Sequence, residues 1–164
     1  ANLSVDPGSP ITVYTDGSSL GNPGPGGYGV VIRVGEKTRE LSQGYVHTTN
    51  NRMEMMAVIT ALETLGEYRD HPVTIHSDSQ YTINGITKGW ARGWRKRGWK
   101  KADGKPALNP DLWKILLGLT EGFSKLEFRW VKGHAGNPLN ERADELANSS
   151  AGGDDLVLDK GYQR

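Results

Sequence analysis

Alternating β-branched and polar residues over positions 11–16 (Ile-Thr-Val-Tyr-Thr-Asp) predict a strand that stops at Gly17. Positions 17–29 are crowded with Gly and Pro and read as a connection. Alternation resumes over 29–34 and 39–45, two strands turning near Gly35-Glu36 as a hairpin. From 51 to 65 the apolar spacing becomes helical, with Thr49 and Asn50 as cap candidates and Gly66 as the stop. A strand over Val73–Ser77 follows Pro72, then a short helix over 79–87. Pro110 opens a helix reaching about 123, residues 126–131 form the last strand, and Asn137-Pro138 starts a final helix ending near 148. Residues 1–10, with Pro7, Gly8 and Pro10, read as a flexible lead-in, and Ala151-Gly152-Gly153 as the start of a loosely held tail over 151–164.

This order of elements implies an α/β fold with a mixed sheet. The first three strands can pair antiparallel; the helix over 51–65 then acts as a crossover and sets Val73–Ser77 parallel to 11–16. At 164 residues the chain is a single domain able to bury roughly two-thirds of its unfolded surface. No apolar run approaches the ~20 residues of a membrane span, and residues 1–10 lack the pattern of a signal peptide. The absence of cysteine excludes disulfides, thiolate zinc sites and cysteine nucleophiles together, and fits a reducing cytoplasm.

Charge changes the picture more than composition does. Residues 88–105 hold eight of the 20 Lys and Arg (Lys88, Arg92, Arg95, Lys96, Arg97, Lys100, Lys101, Lys105) against one of the 19 acids, Asp103, a segment charge of +7. The remainder carries 12 against 18, or −6. One region is thus built to meet a polyanion while the rest gathers carboxylates. Trp90, Trp94 and Trp99 are interleaved among the cations. They suit an amphipathic helix packed on the body, and equally a handle that grips a phosphate backbone and offers a ring to a sugar or base.

Asp16 and Asp78 each end a strand, and parallel neighbours would bring both to one sheet edge, where open α/β sheets place their sites. Either alone also reads as a turn former. Glu54 is the sharper anomaly: positions 54, 58, 61, 62 and 65 share a helix face, and the other four are Val58, Ala61, Leu62 and Leu65. Asp144 is not picked out by periodicity; it flanks the stripe of Leu139, Ala143, Leu146, Ala147 and Ser150 and reads as a surface residue. Acids so crowded need a cation, and oxygen donors select hard divalent ions, Mg²⁺ first and Mn²⁺ second. Two ions about 4 Å apart would serve an in-line displacement at phosphorus. Ser18 and Ser19 have no evident base, and the glycines before Tyr28 lack the ending of a phosphate loop.

Several strings then coincide in order: Thr15-Asp16-Gly17-Ser18, Gly21-Asn22-Pro23-Gly24-Pro25-Gly26-Gly27-Tyr28-Gly29, Thr48-Thr49-Asn50-Asn51-Arg52-Met53-Glu54, Asp78-Ser79-Gln80-Tyr81, Lys96-Arg97-Gly98-Trp99-Lys100, Trp130-Val131-Lys132-Gly133-His134-Ala135-Gly136 and Asn140-Glu141-Arg142-Ala143-Asp144-Glu145-Leu146-Ala147. Through them the chain resembles bacterial ribonuclease H type I over nearly its whole length. The resemblance implies a ribonuclease H-like fold over residues 11–150: a five-stranded mixed sheet, three antiparallel then two parallel strands, flanked by helices and carrying a protruding basic handle. It implies an endonuclease cutting the RNA strand of an RNA–DNA hybrid without strong sequence specificity. Asp16, Glu54, Asp78 and Asp144 become the metal-binding catalytic acids, with two Mg²⁺ (or Mn²⁺) per site, and His134 an aid to proton transfer or product departure. Asn22, Asn50, Asn51 and Gln80 are placed in the hybrid's minor groove, Thr49 in a pocket for a DNA phosphate, and Trp90 against DNA sugars. Ser19, Trp94, Lys96, Arg97, Trp99 and Lys100 complete the expected nucleic-acid contacts. The expected partner is the hybrid alone, with no membrane and no obligate protein partner, for a cytoplasmic monomer. Gly89 departs from the common bacterial pattern as an insertion before Trp90, so the helix there is expected to bend or end differently.

Overall fold

The computed structural model describes residues 6–132 and 136–162. Its elements in chain order are β1 (Ile11–Ser19), β2 (Gly24–Val34), β3 (Lys37–Thr48), α1 (Asn50–Thr64), β4 (Val73–Ser77), α2 (Gln80–Thr87), α3 (Trp90–Lys96), α4 (Pro110–Glu121), β5 (Leu126–Trp130), α5 (Pro138–Ala151) and β6 (Leu156–Val157). The sheet order is β5-β4-β1-β2-β3-β6. Strands β1, β2 and β3 pair antiparallel in sequence, while β4 lies parallel to both β1 and β5. The expected crossover through α1 is therefore present.

Alternation along β1 decides what lies on each side. Ile11 and Val13 face the larger core with Val30, Ile32, Met53, Val58 and Leu62, built between the sheet and α1. Tyr14 faces the other way, into a small cluster with Val31 and Ala143 under α5. Beside α1, α4 contributes Trp113, fully buried, with the ring of Trp94 edge-on at 5.8 Å. Trp113 Nε1 donates to Tyr81 Oη at 3.2 Å, which gives the buried indole its polar partner.

Three expectations are corrected. The sheet has six strands, because Leu156 and Val157 pair parallel with Gly44 and Tyr45. The tail is correspondingly not loose as far as residue 162: Asp159 is buried against Arg52 at 2.8 Å and accepts from the Thr48 hydroxyl at 2.7 Å. Residues 17–29, read as a connection, are mostly strand: β1 continues to Ser19 and β2 begins at Gly24, with Ser18 opposite Gly27 and Ser19 opposite Gly26. Glycine is poor at strand formation by itself, and here a helix packed close against the bare backbone compensates. Gly89, at φ 76°, separates α2 from α3, so the helix ends and restarts as its insertion suggested.

Candidate functional site

Asp16 lies two residues beyond Tyr14 on β1 and shares its face of the sheet, toward α5. Across the ladder it pairs with Gly29. A Cβ on Gly29 would strike the Ala143 carbonyl and, at 2.7 Å, the Leu146 side chain, so α5 rests on bare backbone at this point. That contact brings Asp144, the next residue of α5, close enough to Asp16 to perturb its carboxyl. Gly17 does the same on the opposite face: a Cβ there would collide with the backbone of Met53 and Glu54, so the first turn of α1 crosses the strand in contact with it. Glu54 is thereby set beside Asp16. Asp78 arrives through register: Tyr14 pairs with His76, and Asp16 and Asp78 each lie two residues further along the chain, Asp78 just past the end of β4.

The result is one acidic centre. Ligand oxygens of Asp16, Glu54 and Asp78 lie within 4.8 Å of one another. Glu54 is 5% exposed, and Glu54 Oε1 and Asp78 Oδ1 are buried with no hydrogen-bond partner among the described residues. Burial pushes the Asp16 carboxyl up to about 8, aided by the neighbouring Asp144 carboxyl and the negative charge of Asp78. Burial, then the charges of Asp16 and Asp78, hold Glu54 well above the usual carboxylate range. A cation placed among these oxygens would relieve both the repulsion and the two unpartnered acceptors. The centre is thus a candidate divalent-metal site built from oxygen donors.

Around it, Asn22 Oδ1 accepts from the Asn50 N–H at 3.1 Å, tying the β1–β2 turn to the start of α1. Thr49 caps that helix, its hydroxyl accepting from the Arg52 N–H at 3.2 Å. Asn51 is exposed two residues beyond Thr49, Ser19 closes β1, and Gln80 is exposed at the start of α2. These groups share the rim that carries the acids. His134 lies outside the described residues.

The basic segment forms α3 and its flanks, and all eight of its Lys and Arg side chains are exposed. Its three indoles separate. Trp94 packs on Trp113, and Trp99, at φ 67°, lies half-buried against the core, so for both the packing reading holds. Trp90 is 44% exposed, with the Lys88 ammonium 5.6 Å from its ring. Lys96, Arg97 and Lys100 face solvent away from the core, the Arg97 guanidinium donating to the Lys100 carbonyl at 3.2 Å.

Two neighbours of the centre have roles that sequence alone does not suggest. Trp130 ends β5 opposite Ser77 and donates its indole N–H to the Asp78 carbonyl at 3.2 Å. The Ser18 hydroxyl donates to Asn148 Oδ1 at 2.6 Å, tying the end of β1 to α5 one turn beyond Asp144. Neither carries a signal in spacing, because each depends on strand pairing or helix seating.

The RNase H family model matches residues 8–152. Ribonuclease H of Syntrophus aciditrophicus (strain SB) is 52% identical over 162 residues, 99% of this chain and 92% of that protein. LC9-RNase H1, solved as a type 1 RNase H with the type 2 active-site motif, is 36% identical with a TM-score of 0.77, over 91% of this chain and 75% of that one. LC11-RNase H1, solved in complex with RNA/DNA hybrid, is 29% identical with a TM-score of 0.63, over 92% and 97% of the two chains.

Proposed function

This chain belongs to the RNase H family, and on that premise we propose that it is an endonuclease hydrolysing the RNA strand of RNA–DNA hybrids, leaving 3′-hydroxyl and 5′-phosphate ends without strong sequence preference. The observation that carries the reading is the convergence of Asp16, Glu54 and Asp78 within 4.8 Å, two of their oxygens buried and unpartnered. Family membership implies a divalent metal, and an oxygen-only donor set with unmet acceptors fits one. Asp16, Glu54, Asp78 and Asp144 would hold it, with Mg²⁺ preferred, Mn²⁺ as substitute, and two ions in the presence of substrate. Such an ion supplies Lewis acidity toward the phosphoryl group and makes water a nucleophile near neutral pH.

The chain's own residues bind and orient. Asn22, Asn50, Asn51 and Gln80 present amides, able both to donate and to accept, to the minor groove of the hybrid. Glu54 and the backbone beside it sense the 2′-hydroxyl that separates RNA from DNA. Thr49 meets a phosphate of the DNA strand, and Trp90 with Lys96, Arg97 and Lys100 grips its backbone. His134 helps a proton or the product phosphate leave. A monomer working in a reducing cytoplasm belongs to the same proposal; among the described residues no helix is long and apolar enough to cross a membrane.

The test is incubation with Mg²⁺ and end-labelled hybrid, double-stranded RNA and double-stranded DNA. Internal cleavage of the RNA strand of the hybrid alone is expected. Binding of hybrid without cleavage would make the chain a recognition module, and cleavage of duplex DNA would place it with DNA-cutting enzymes.

A further inference from the structure

Arg52 lies between Asn51 and Glu54 on the first turn of α1, yet its side chain turns toward α4 and the C-terminal segment and is only 2% exposed. Its Nε and Nη2 donate to the two oxygens of Asp159 at 2.8 and 3.0 Å. Nη1 and Nη2 donate to those of Asp111 at 2.9 and 2.6 Å, and Nη1 reaches Asn109 Oδ1 at 3.2 Å. Two carboxylates are thus forked by one planar guanidinium, an arrangement lysine cannot reproduce. The cluster is closed on the Asp159 side, while the Asp111 carboxylate stays 41% exposed. The Thr48 hydroxyl donates to Asp159 Oδ2 at 2.7 Å, and a Cβ on Gly161 would run into the Asp111 carboxylate and the Arg52 guanidinium.

Four stretches meet in this cluster. Thr48 ends β3, Arg52 begins α1, Asn109 and Asp111 begin α4 where the chain returns from the basic segment, and Asp159 with Gly161 follows β6. A buried guanidinium paired with one buried and one half-exposed carboxylate is a weak source of net stability, because desolvation cancels much of the attraction. What paired forks do give is a fixed orientation. The group so oriented is the turn holding Asn50 and Asn51, immediately beside Arg52. Glu54 is less dependent on the clamp, since the backbone contact with Gly17 sets it from the other side.

We propose that Arg52, clamped by Asp111 and Asp159, is a positioning residue for hybrid binding. It fixes the angle at which α1 presents Asn50 and Asn51 relative to the basic segment, which makes the C-terminal stretch 156–162 part of the binding apparatus. The inference rests on the functional reading above, and the test keeps the two apart.

The full-length protein and its Asp159→Asn and Thr48→Val variants are compared well below their melting temperatures, with circular dichroism confirming that each is folded. Thr48→Val removes one hydrogen bond from the clamp and keeps the protein measurable should Asp159→Asn not fold. Binding of a labelled RNA–DNA hybrid is measured in Ca²⁺, and KM and kcat in Mg²⁺. The expected result is a rise in Kd and KM of about five- to tenfold for Asp159→Asn and about two- to threefold for Thr48→Val, kcat changing less than about twofold in both. In an Asn51→Ala background the effect of Asp159→Asn on Kd should shrink at least about threefold, because both changes act through one contact. Folded variants that bind hybrid like the unaltered protein, or an undiminished effect beside Asn51→Ala, overturn the inference alone. Failure of the unaltered protein to bind hybrid overturns the functional reading, and this inference with it.

Discussion

Protons stand in for a cation at the acidic centre of the metal-free protein. The Asp16 carboxyl is raised from 3.8 to about 8. Between those values the folded protein retains a proton that the unfolded chain has released, so stability falls as pH rises through this window. Below it both states are protonated and the group contributes nothing; above it the full cost of the buried charge is present. Urea unfolding of metal-free protein at about pH 5 and about pH 8 should show this decline, and Mg²⁺ should flatten it. Asp16→Asn removes the charge at its source. It should abolish cleavage while raising the metal-free melting temperature, by about 2–4 °C for each ~1 kcal/mol of repulsion relieved; a clear drop in calorimetry would count against crowding. These residues were unequally legible. Asp16 and Asp78 are marked by the strand ends that the sequence predicts, although β1 runs on to Ser19, and Glu54 by its place in an apolar stripe. Asp144 is not, because what brings it in is the missing side chain of Gly29 on another element.

At the scale of elements, glycine does for the sheet what apolar stripes do for the helices. Gly27, Gly29 and Gly44 lie beneath α5, where Cβ atoms would strike Ala147, Ala143 and Ser150 in turn. Gly29→Ala should lift α5 from the sheet, destabilising the fold by about 1–3 kcal/mol. It should also weaken Mg²⁺ binding in titration calorimetry, since Asp144 moves with the helix; unchanged metal affinity would show that α5 is not what places the carboxylate. The same glycines explain why 17–29 reads as a loop in sequence yet folds as strand: local propensity points one way and a helix arriving from more than a hundred residues downstream decides the other. Trp94 and Trp99 carry a similar lesson. Their spacing among cations fits both a core face and a ligand face, and only Trp113, brought alongside by α4, settles Trp94 for the core.

For the whole molecule, the pairing of β1 to β4 is legible because each strand has its own alternation and the α1 crossover leaves one handedness open. β5 is legible as a strand and takes its place in the sheet only through the family resemblance. β6 is not legible. Two residues have no period, and the ion pair of Asp159 with Arg52 spans 107 positions of chain. The separation of charge, by contrast, is legible in both sequence and structure. Lys96→Ala and Lys100→Ala should each weaken hybrid binding and lower the slope of log K against log salt by about one unit for every phosphate left without its cation; an unchanged slope would reduce the segment to a solvated face. With +7 on exposed side chains of one segment and −6 over the remainder, the molecule is also an electric dipole. Near a duplex it feels a torque before it touches anything, and it swings round so that its cationic end leads. Collisions that start the wrong way about are thereby corrected in solution, before any short-range contact has formed.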